Sequence, residues 1–597
     1  MKSITFLINE ALITFKRFPL VLIASFLTAA TAIYFNHMDA SLEQSKLVMT
    51  CLLGVPLFLA CSLFVEGRKI VHRPSIIALN LVALSFLILY QVWINSNDTK
   101  GYEIGYIQLS FAIHLLVSFS AFIGRSDELG FWKLNKDFFV RILISFIYAS
   151  VFFGGLAIAV AAVTNLFGME FNQKIYFNLW AVSAFVLQTW HFLAGLPKNL
   201  AEPVEVYSYP KVLRYFVQYL LIPLISLYTV ILYCYMTKIL VTGDWPKGFV
   251  GWLISIMSVL GILNLLLIHP ESKTVENKWI TQYTKFYYIM IIPLLLMLYV
   301  AVGKRVIAYG FTENRYFLLI LGIWLNAIAL YFIFSTRKNI KIVPVSLFIL
   351  TILTLWGPTS ARSISLNSQY KQALAILKKY DMIDGAKLKA AQGNVTYDDE
   401  KSLSSTFDYI IQHHGTQALQ DWIPESVIDS MRESTNTYSA NYARNMRSTK
   451  IMSYLGVKYR YRYDYESDEY FHFSVKNSNE SVILTNFNYL VRIDTYGEAI
   501  FKLRDDEYSL SFAEEKSVIQ LNKAGVVLAT VNMSAALDGI QETMKKENMT
   551  AVTQKLLTID VADSVVPFTF AIEEISGHKR EGGKHSIDHV SGFLLFK

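Results

Sequence analysis

The chain has 597 residues, 53% of them hydrophobic and only 17% charged, where an ordinary soluble chain carries about 25% charged residues. Its net charge of +7 is divided: residues 1–357 hold 27 Lys and Arg against 16 Asp and Glu, and the remainder holds 27 against 31. A basic excess confined to the apolar part argues against nucleic-acid binding by the polar part, and the three cysteines (Cys51, Cys61 and Cys234) all fall in apolar runs, so disulfides cannot staple the polar part.

In chain order, Lys16 and Arg17 precede the run Pro19–Phe35, which is long for the core of a signal peptide and reads as a first membrane span. Ten further apolar runs follow, giving eleven expected spans at roughly 18–35, 45–65, 75–94, 106–123, 138–163, 175–194, 213–237, 249–268, 286–303, 316–335 and 341–357. Each is expected to be helical, because lipid cannot satisfy an open backbone. With the N-terminus placed in the cytoplasm, the inner segments carry 19 Lys and Arg and the outer segments 8. Basic residues accumulate in cytoplasmic loops, so the tally predicts an inside N-terminus, and an odd number of spans puts the polar part outside. Three of the eight outer cations (Lys304, Arg305 and Arg315) lie in one connection, GKRVIAYGFTENRYF, which also carries Tyr309, Glu313 and Asn314. That loop is the candidate functional loop of the membrane part, with its cations meeting lipid phosphates or the acidic polar part. Residues 270–285 read as a short helix lying flat at the interface, with Val275, Trp279, Ile280 and Tyr283 on one face. Gln218–Tyr228 and Tyr288–Tyr299 echo one another around a proline, a likeness that apolar composition alone also produces.

Intramembrane polar residues are few. His114, His191, Gln188, Asn264 and Asn326 are the candidates, and for the histidines a neutral imidazole bonded between helices is the plain reading. Carboxylates are almost absent from span centres, which weakens an ion-coupled transporter. Asp39 and Glu43 in the first outer loop give only a faint signal for a membrane glycosyltransferase.

Segments YPKVLRYFVQYLLIPLISLYTVILYCYMTKIL, GDWPKGFVGWL, YGFTENRYF and WGPTSARSISLNSQ resemble a bacterial multi-pass family catalogued as domain of unknown function 4153. The resemblance is good over roughly residues 200–380 and looser elsewhere. It implies a bacterial envelope location and a multi-pass topology, and it supplies no catalytic residue.

After Trp356-Gly357-Pro358 the polar part begins. Helices are predicted at Ser365–Lys379, with Leu366, Tyr370, Leu374 and Leu377 as the buried stripe, at Ser404–His413, and at Val427–Tyr454. Lys458–Phe473 alternates Tyr459, Tyr461, Tyr463 and Tyr465 with charged residues, the period of a strand. The tyrosine face reads as cross-strand packing before it reads as a sugar or peptide site. Short strands are predicted at 481–484, 489–494, 499–503, 517–521, 526–531, 556–561, 568–575 and 592–596, with a helix at 535–546. His578, His585, Asp588 and His589 cluster in GHKREGGKHSIDH, but their spacing fits no metal motif. His413-His414 is read as a helix end, where imidazolium suits the dipole.

The expected fold is therefore a mainly α polytopic membrane bundle of about eleven helices (1–357), followed by a soluble α+β domain with a helical juxtamembrane part (358–456) and a β-sandwich-like part (457–597). No phosphate loop, HExxH, GxSxG or CxxC stands in the sequence, so no cofactor or metal is expected and a non-enzyme is favoured. The function expected is that of a bacterial inner-membrane protein whose periplasmic or extracellular domain binds or senses an envelope partner. A membrane-embedded transferase or transporter for an envelope lipid or glycan is the alternative. Expected partners are the lipid bilayer and an envelope protein or glycan, and no nucleic acid.

Overall fold

The computed structural model describes residues 4–38, 46–96, 102–169, 171–198, 200, 202, 209–243, 249–273, 278–385, 387–424, 427, 440–460, 469–474, 487–495, 497–503, 506–513, 517–546, 557–561, 566–579 and 585–596. Two compact units form, one from residues 1–393 with 406–456, the other from 394–405 with 457–597.

The first unit is a helical bundle. Its helices are α1 (Ile4–Arg17), α2 (Pro19–His37), α3 (Lys46–Gly67), α4 (Arg73–Ser96), α5 (Tyr102–Phe119) and α6 (Glu128–Phe167). There follow α7 (Lys174–Ala181), α8 (Gln188–Ala194), α9 (Lys211–Tyr215), α10 (Ile222–Thr242), α11 (Phe249–Ile268), α12 (Lys278–Tyr309), α13 (Glu313–Phe334) and α14 (Ile342–Leu353). Among the described residues, nine helices are long and apolar enough to cross a membrane.

Two further segments also run between the ends of the bundle. Helices α7 and α8 are joined by a π-helical turn, Val182–Leu187. Helix α14 has only 12 residues, about 18 Å at 1.5 Å per residue, which is less than a hydrocarbon core.

Hydrogen bonds at the two ends show which connections lie together. At one end Arg17 grips Glu66 through two 2.7 Å bonds and donates to the carbonyls of Leu196 and Pro197. Arg125 donates to the carbonyls of Gly67 and Leu200. Glu128 accepts from the Ile340 amide and meets His269, each at 3.1 Å. Arg214 pairs with Glu271 at 3.0 Å. At the opposite end Lys174 donates to the His37 carbonyl, and the Tyr316 hydroxyl to that of Thr359. Among the described residues, the nine long helices together with α7–α8 and α14 give eleven passes between the ends. The first end gathers the segments that the charge tally groups together.

The sequence reading assigned no element to residues 4–17, which form a helix of their own, separated from α2 by Phe18 alone. Two expectations about elements are corrected. Residues 278–285 do not lie flat; they are the first turns of the 32-residue α12, with Ile280 buried and Trp279 46% exposed, so they do not share a face. Val275 lies outside the described residues. The run expected at 138–163 belongs to a 40-residue helix that begins ten residues earlier, capped by the Asp127 side chain on the Gly130 amide.

Beyond the spans, the first unit holds α15 (Ala361–Lys379), a short hairpin of β1 (Ile383–Asp384) with β2 (Lys387–Leu388), and α17 (Ala440–Tyr454). Between them comes α16 (Tyr397–His414), whose residues 397–405 belong to the second unit and 406–414 to the first.

The second unit is built on two antiparallel sheets. One orders β3 (Glu469–Ser474), β10 (Phe568–Lys579), β11 (His585–Phe596) and β4 (Tyr489–Thr495), with β9 (Thr558–Val561) also paired to β10. The other is a meander of β5 (Ala499–Leu503), β6 (Asp506–Ala513), β7 (Val518–Lys523) and β8 (Val526–Asn532). Leu510, Ile519 and Leu521 of the meander share one core with Ile575, Phe570 and Phe596 of the first sheet and with Leu537 of α18 (Met533–Lys546). Each such buried side chain contributes about 1.5–3 kcal/mol relative to exposure. Strand β6 is missing from the expected set although Tyr508, Leu510 and Phe512 alternate inside it.

Lys458–Arg460 is not a strand. The Arg460 guanidinium pairs with Glu400 at 2.7 Å, and the amides of Lys458 and Arg460 donate to the side chains of Glu400 and Ser404, so α16 replaces a sheet neighbour here. Tyr461, Tyr463 and Tyr465, like the strand expected at 481–484, lie outside the described residues.

Candidate functional site

The loop between α12 and α13 is held by hydrogen bonds with α15 and α16. Gly310 turns the chain at φ +69°, a left-handed conformation that glycine adopts without cost. Its lack of a side chain matters equally. A Cβ there would lie 2.8 Å from Gln372 Oε1 and 3.0 Å from both Gln369 Nε2 and Ser368 Oγ. Those polar atoms approach because α15 clamps the loop. Gln369 Nε2 donates to the carbonyls of Tyr309 and Phe311 at 3.0 and 2.9 Å, and the Phe311 amide donates to Ser368 Oγ at 2.8 Å.

The buried stripe of α15 is therefore polar in its first half and apolar at its end, where Ile376 and the expected Leu377 are buried. Ala361, Ser365, Gln369 and Ala373 repeat every four residues against the bundle, where the sequence pattern predicts Leu366 and Tyr370. Tyr370 instead packs on Trp422, ring centres 5.0 Å apart.

Helix α16 closes the site. The Glu313 amide, in the first turn of α13, donates to the Tyr409 hydroxyl at 3.0 Å. The Glu313 carboxylate, buried to 4% exposure, comes within 3.6 Å of His413 Nδ1. The His413 ring lies on Tyr409, centres 4.5 Å apart. His414 is 2% exposed, with Nε2 3.4 Å from Ser365 Oγ. Its Nδ1 has no hydrogen-bond partner among the described residues. Burial, then the charges of Arg362 and His413, push the His414 imidazole down to about 3, and burial raises the Tyr409 hydroxyl. The expectation of a dipole-stabilised imidazolium at this helix end is thus corrected for His414, whose burial favours the neutral ring. Ser365 is fully buried and no acid orients His414 Nδ1, so the pair lacks both access and the third member of a nucleophilic triad.

The other residues singled out from sequence are spread apart. Arg315 donates to the Gly310 carbonyl at 2.7 Å and lies over the Tyr309 ring at 5.7 Å. Lys304 and Asn314 are exposed, and Arg305 is half-buried. His114 is exposed on α5 and bonds only one turn back, to the Ser110 carbonyl at 2.7 Å. His191 meets Ser145 at 2.8 Å and stacks on Tyr148. Gln188 is half-buried on α8. Asn326 donates to the Tyr299 hydroxyl at 2.6 Å. Asn264 is 1% exposed, and neither atom of its amide finds a partner among the described residues.

His585 and His589 of GHKREGGKHSIDH are separated as well, and the His578 side chain lies outside the described residues. A register shift between Ser576 and Gly577 bulges β11 at Asp588. That places His585 on the core side with Ile587 and Val590, while His589 bonds Asp494 at 2.9 Å on the other face. No group of three or more His, Cys, Asp or Glu is arranged to hold a metal among the described residues.

Sequence reading passed over Arg362, Ser365, Gln369, Tyr409, His413 and His414 as a site. The available signal was the four-residue spacing of Ser365 and Gln369 within SISLNSQ, polar where a soluble helix would be apolar.

The family model of domain of unknown function 4153 matches residues 22–365, more than half of the chain and including the α12–α13 loop. The chain belongs to this family. An uncharacterized protein of Pasteurella multocida (strain Pm70) is 27% identical over 351 residues, covering 57% of this chain and 56% of the relative. The chain thus matches a little over half the length of that relative. No solved structure matches. The region matched by the DUF4153 model takes in most of the bundle and the start of α15; α16 and the two sheets lie beyond it.

Proposed function

We propose that this DUF4153 protein is a bacterial inner-membrane protein with a cytoplasmic N-terminus, whose C-terminal unit lies outside the membrane and binds or senses an envelope protein or glycan. The basic loops gathered at one end of the bundle support that orientation. What carries the binding reading is the edge of the meander: Ile500 on β5 and Val526 on β8 are 65% and 63% exposed on strands with an open side among the described residues. Exposed apolar edge strands template further pairing. Closure of the polar site around Ser365 and His414 fits a structural joint better than an active site. Photo-crosslinking amino acids placed at Ile500 and Val526 of the full-length protein test it in living cells. Discrete adducts at one or both positions are expected. Adducts at neither, from a protein that reaches the membrane normally, would discard the binding reading.

A second reading, transferase or transporter, draws on one observation. Gln218, Ser255, Asn264 and Tyr283 each bury a polar atom without a partner among the described residues, within the apolar bundle. Gln218 lies in a π-helical turn, Phe216–Leu221, a local form frequent at functional sites. A substrate site there would lose activity in Asn264→Leu.

A further inference from the structure

We propose that the joint made by the α12–α13 loop, α15 and the end of α16 is an acid-released latch, in which protonation of the buried His414 loosens α16 and α15 from the loop. This goes beyond the binding reading and does not depend on it.

The geometry concentrates charge around one neutral ring. His414 faces Arg362 and Ser365 from α15, and His413 and Tyr409 from its own helix. Glu313 of α13 is 3.6 Å from His413, and Arg315 holds the loop carbonyls beside it. A proton on His414 would add a cation at a 2% exposed site between Arg362 and His413, with no carboxylate at its Nδ1. Burying an uncompensated charge is strongly unfavourable. His413 acts in the opposite sense: a proton there strengthens its attraction to Glu313, so the two adjacent histidines pull the joint in different directions as pH falls.

The sign of the effect follows from linkage. The closed joint holds His414 down to about 3, while an exposed imidazole titrates near 6.5. Below about 6.5 the open state binds more protons than the closed one, so closure weakens by up to tenfold per pH unit until the closed-state value is reached. Between pH 6.5 and pH 5 the shift towards opening is about 15-fold, because an exposed imidazole is already half protonated at the upper end.

Two amides report the latch directly, because Phe311 N–H is held by Ser368 and Glu313 N–H by Tyr409. Hydrogen exchange of the full-length protein in lipid nanodiscs, corrected for intrinsic rates, should show protection in peptides spanning 309–316 falling about 15-fold from pH 6.5 to pH 5. Peptides from the interior of α12 should not change. His414→Gln should abolish the fall, and His413→Gln should retain it. An unchanged wild type, or an equal fall in His414→Gln, would overturn the proposal. Should His414→Gln not fold, the His413→Gln protein decides: loss of the effect there would move the titration to His413 and sink the latch as stated.

Discussion

Three single residues give the sharpest tests. Gly310→Ala would force a side chain into a left-handed turn and against three polar atoms within 3.0 Å. A cost of about 1–2 kcal/mol is expected from the backbone alone. It should appear as faster exchange in residues 364–372 with little change in the rest of the bundle. Gly261 is a matter of space. A Cβ there would lie 1.7 Å from the Tyr287 hydroxyl, which bonds the Ser258 carbonyl at 3.2 Å. Gly261→Ala should lower the thermal midpoint in detergent by overpacking worth about 1–3 kcal/mol. Asn264→Leu runs the other way. It removes two buried polar atoms without partners among the described residues, each worth about 1–3 kcal/mol when unsatisfied. A raised midpoint is expected if the amide has no task. A lowered one would show that bound water or substrate satisfies it.

At the scale of elements, α15 and α12 illustrate opposite kinds of legibility. The existence of α15 could be read, and so could Leu377 on its buried face, but the polar part of that face could not. Periodicity looks for apolar residues, and this helix buries Ser365 and Gln369 because the loop opposite offers bare carbonyls. On α12, Lys304 follows the outward stripe of Leu296 and Val300 and precedes Ile307, which are 56%, 46% and 88% exposed. In a bilayer that stripe faces lipid, and Lys304 with Arg305 would sit at headgroup level. Lys304→Gln with Arg305→Gln should reduce retention of phosphatidylglycerol over phosphatidylcholine several-fold, at about 1 kcal/mol per cation. Native mass spectrometry of the protein released from mixed nanodiscs measures it, and equal retention by both proteins would discard the contact. At the other end of the bundle, Arg17 joins the end of α1 to α3 and to the carbonyls beyond α8. Arg17→Lys keeps the charge but loses the fork of donors, and should lower stability by about 2 kcal/mol.

For the molecule as a whole, the side of each end is the next quantity to measure. An alkaline-phosphatase fusion after Lys597 should be active in cells, and an inactive fusion with a fluorescent cytoplasmic reporter would reverse the proposed orientation. The sequence by itself determined the multi-pass helical body, the grouping of its loops by charge, and most strands of the C-terminal unit. Those features follow from apolar length and two-residue alternation, which are properties of each segment alone. Tertiary structure decided that a 12-residue helix and a π-interrupted one complete eleven passes, because bonds at both ends locate them where length does not. It also decided that His585 and His589 face apart across a bulge, since a one-residue shift in pairing reverses a face. Above all, it brought YGFTENRY, SARSISLNSQ and His413-His414 into one buried polar joint. Their hydrogen bonds join residues 96 and 49 positions apart in the chain, and no local pattern encodes which donor will meet which acceptor.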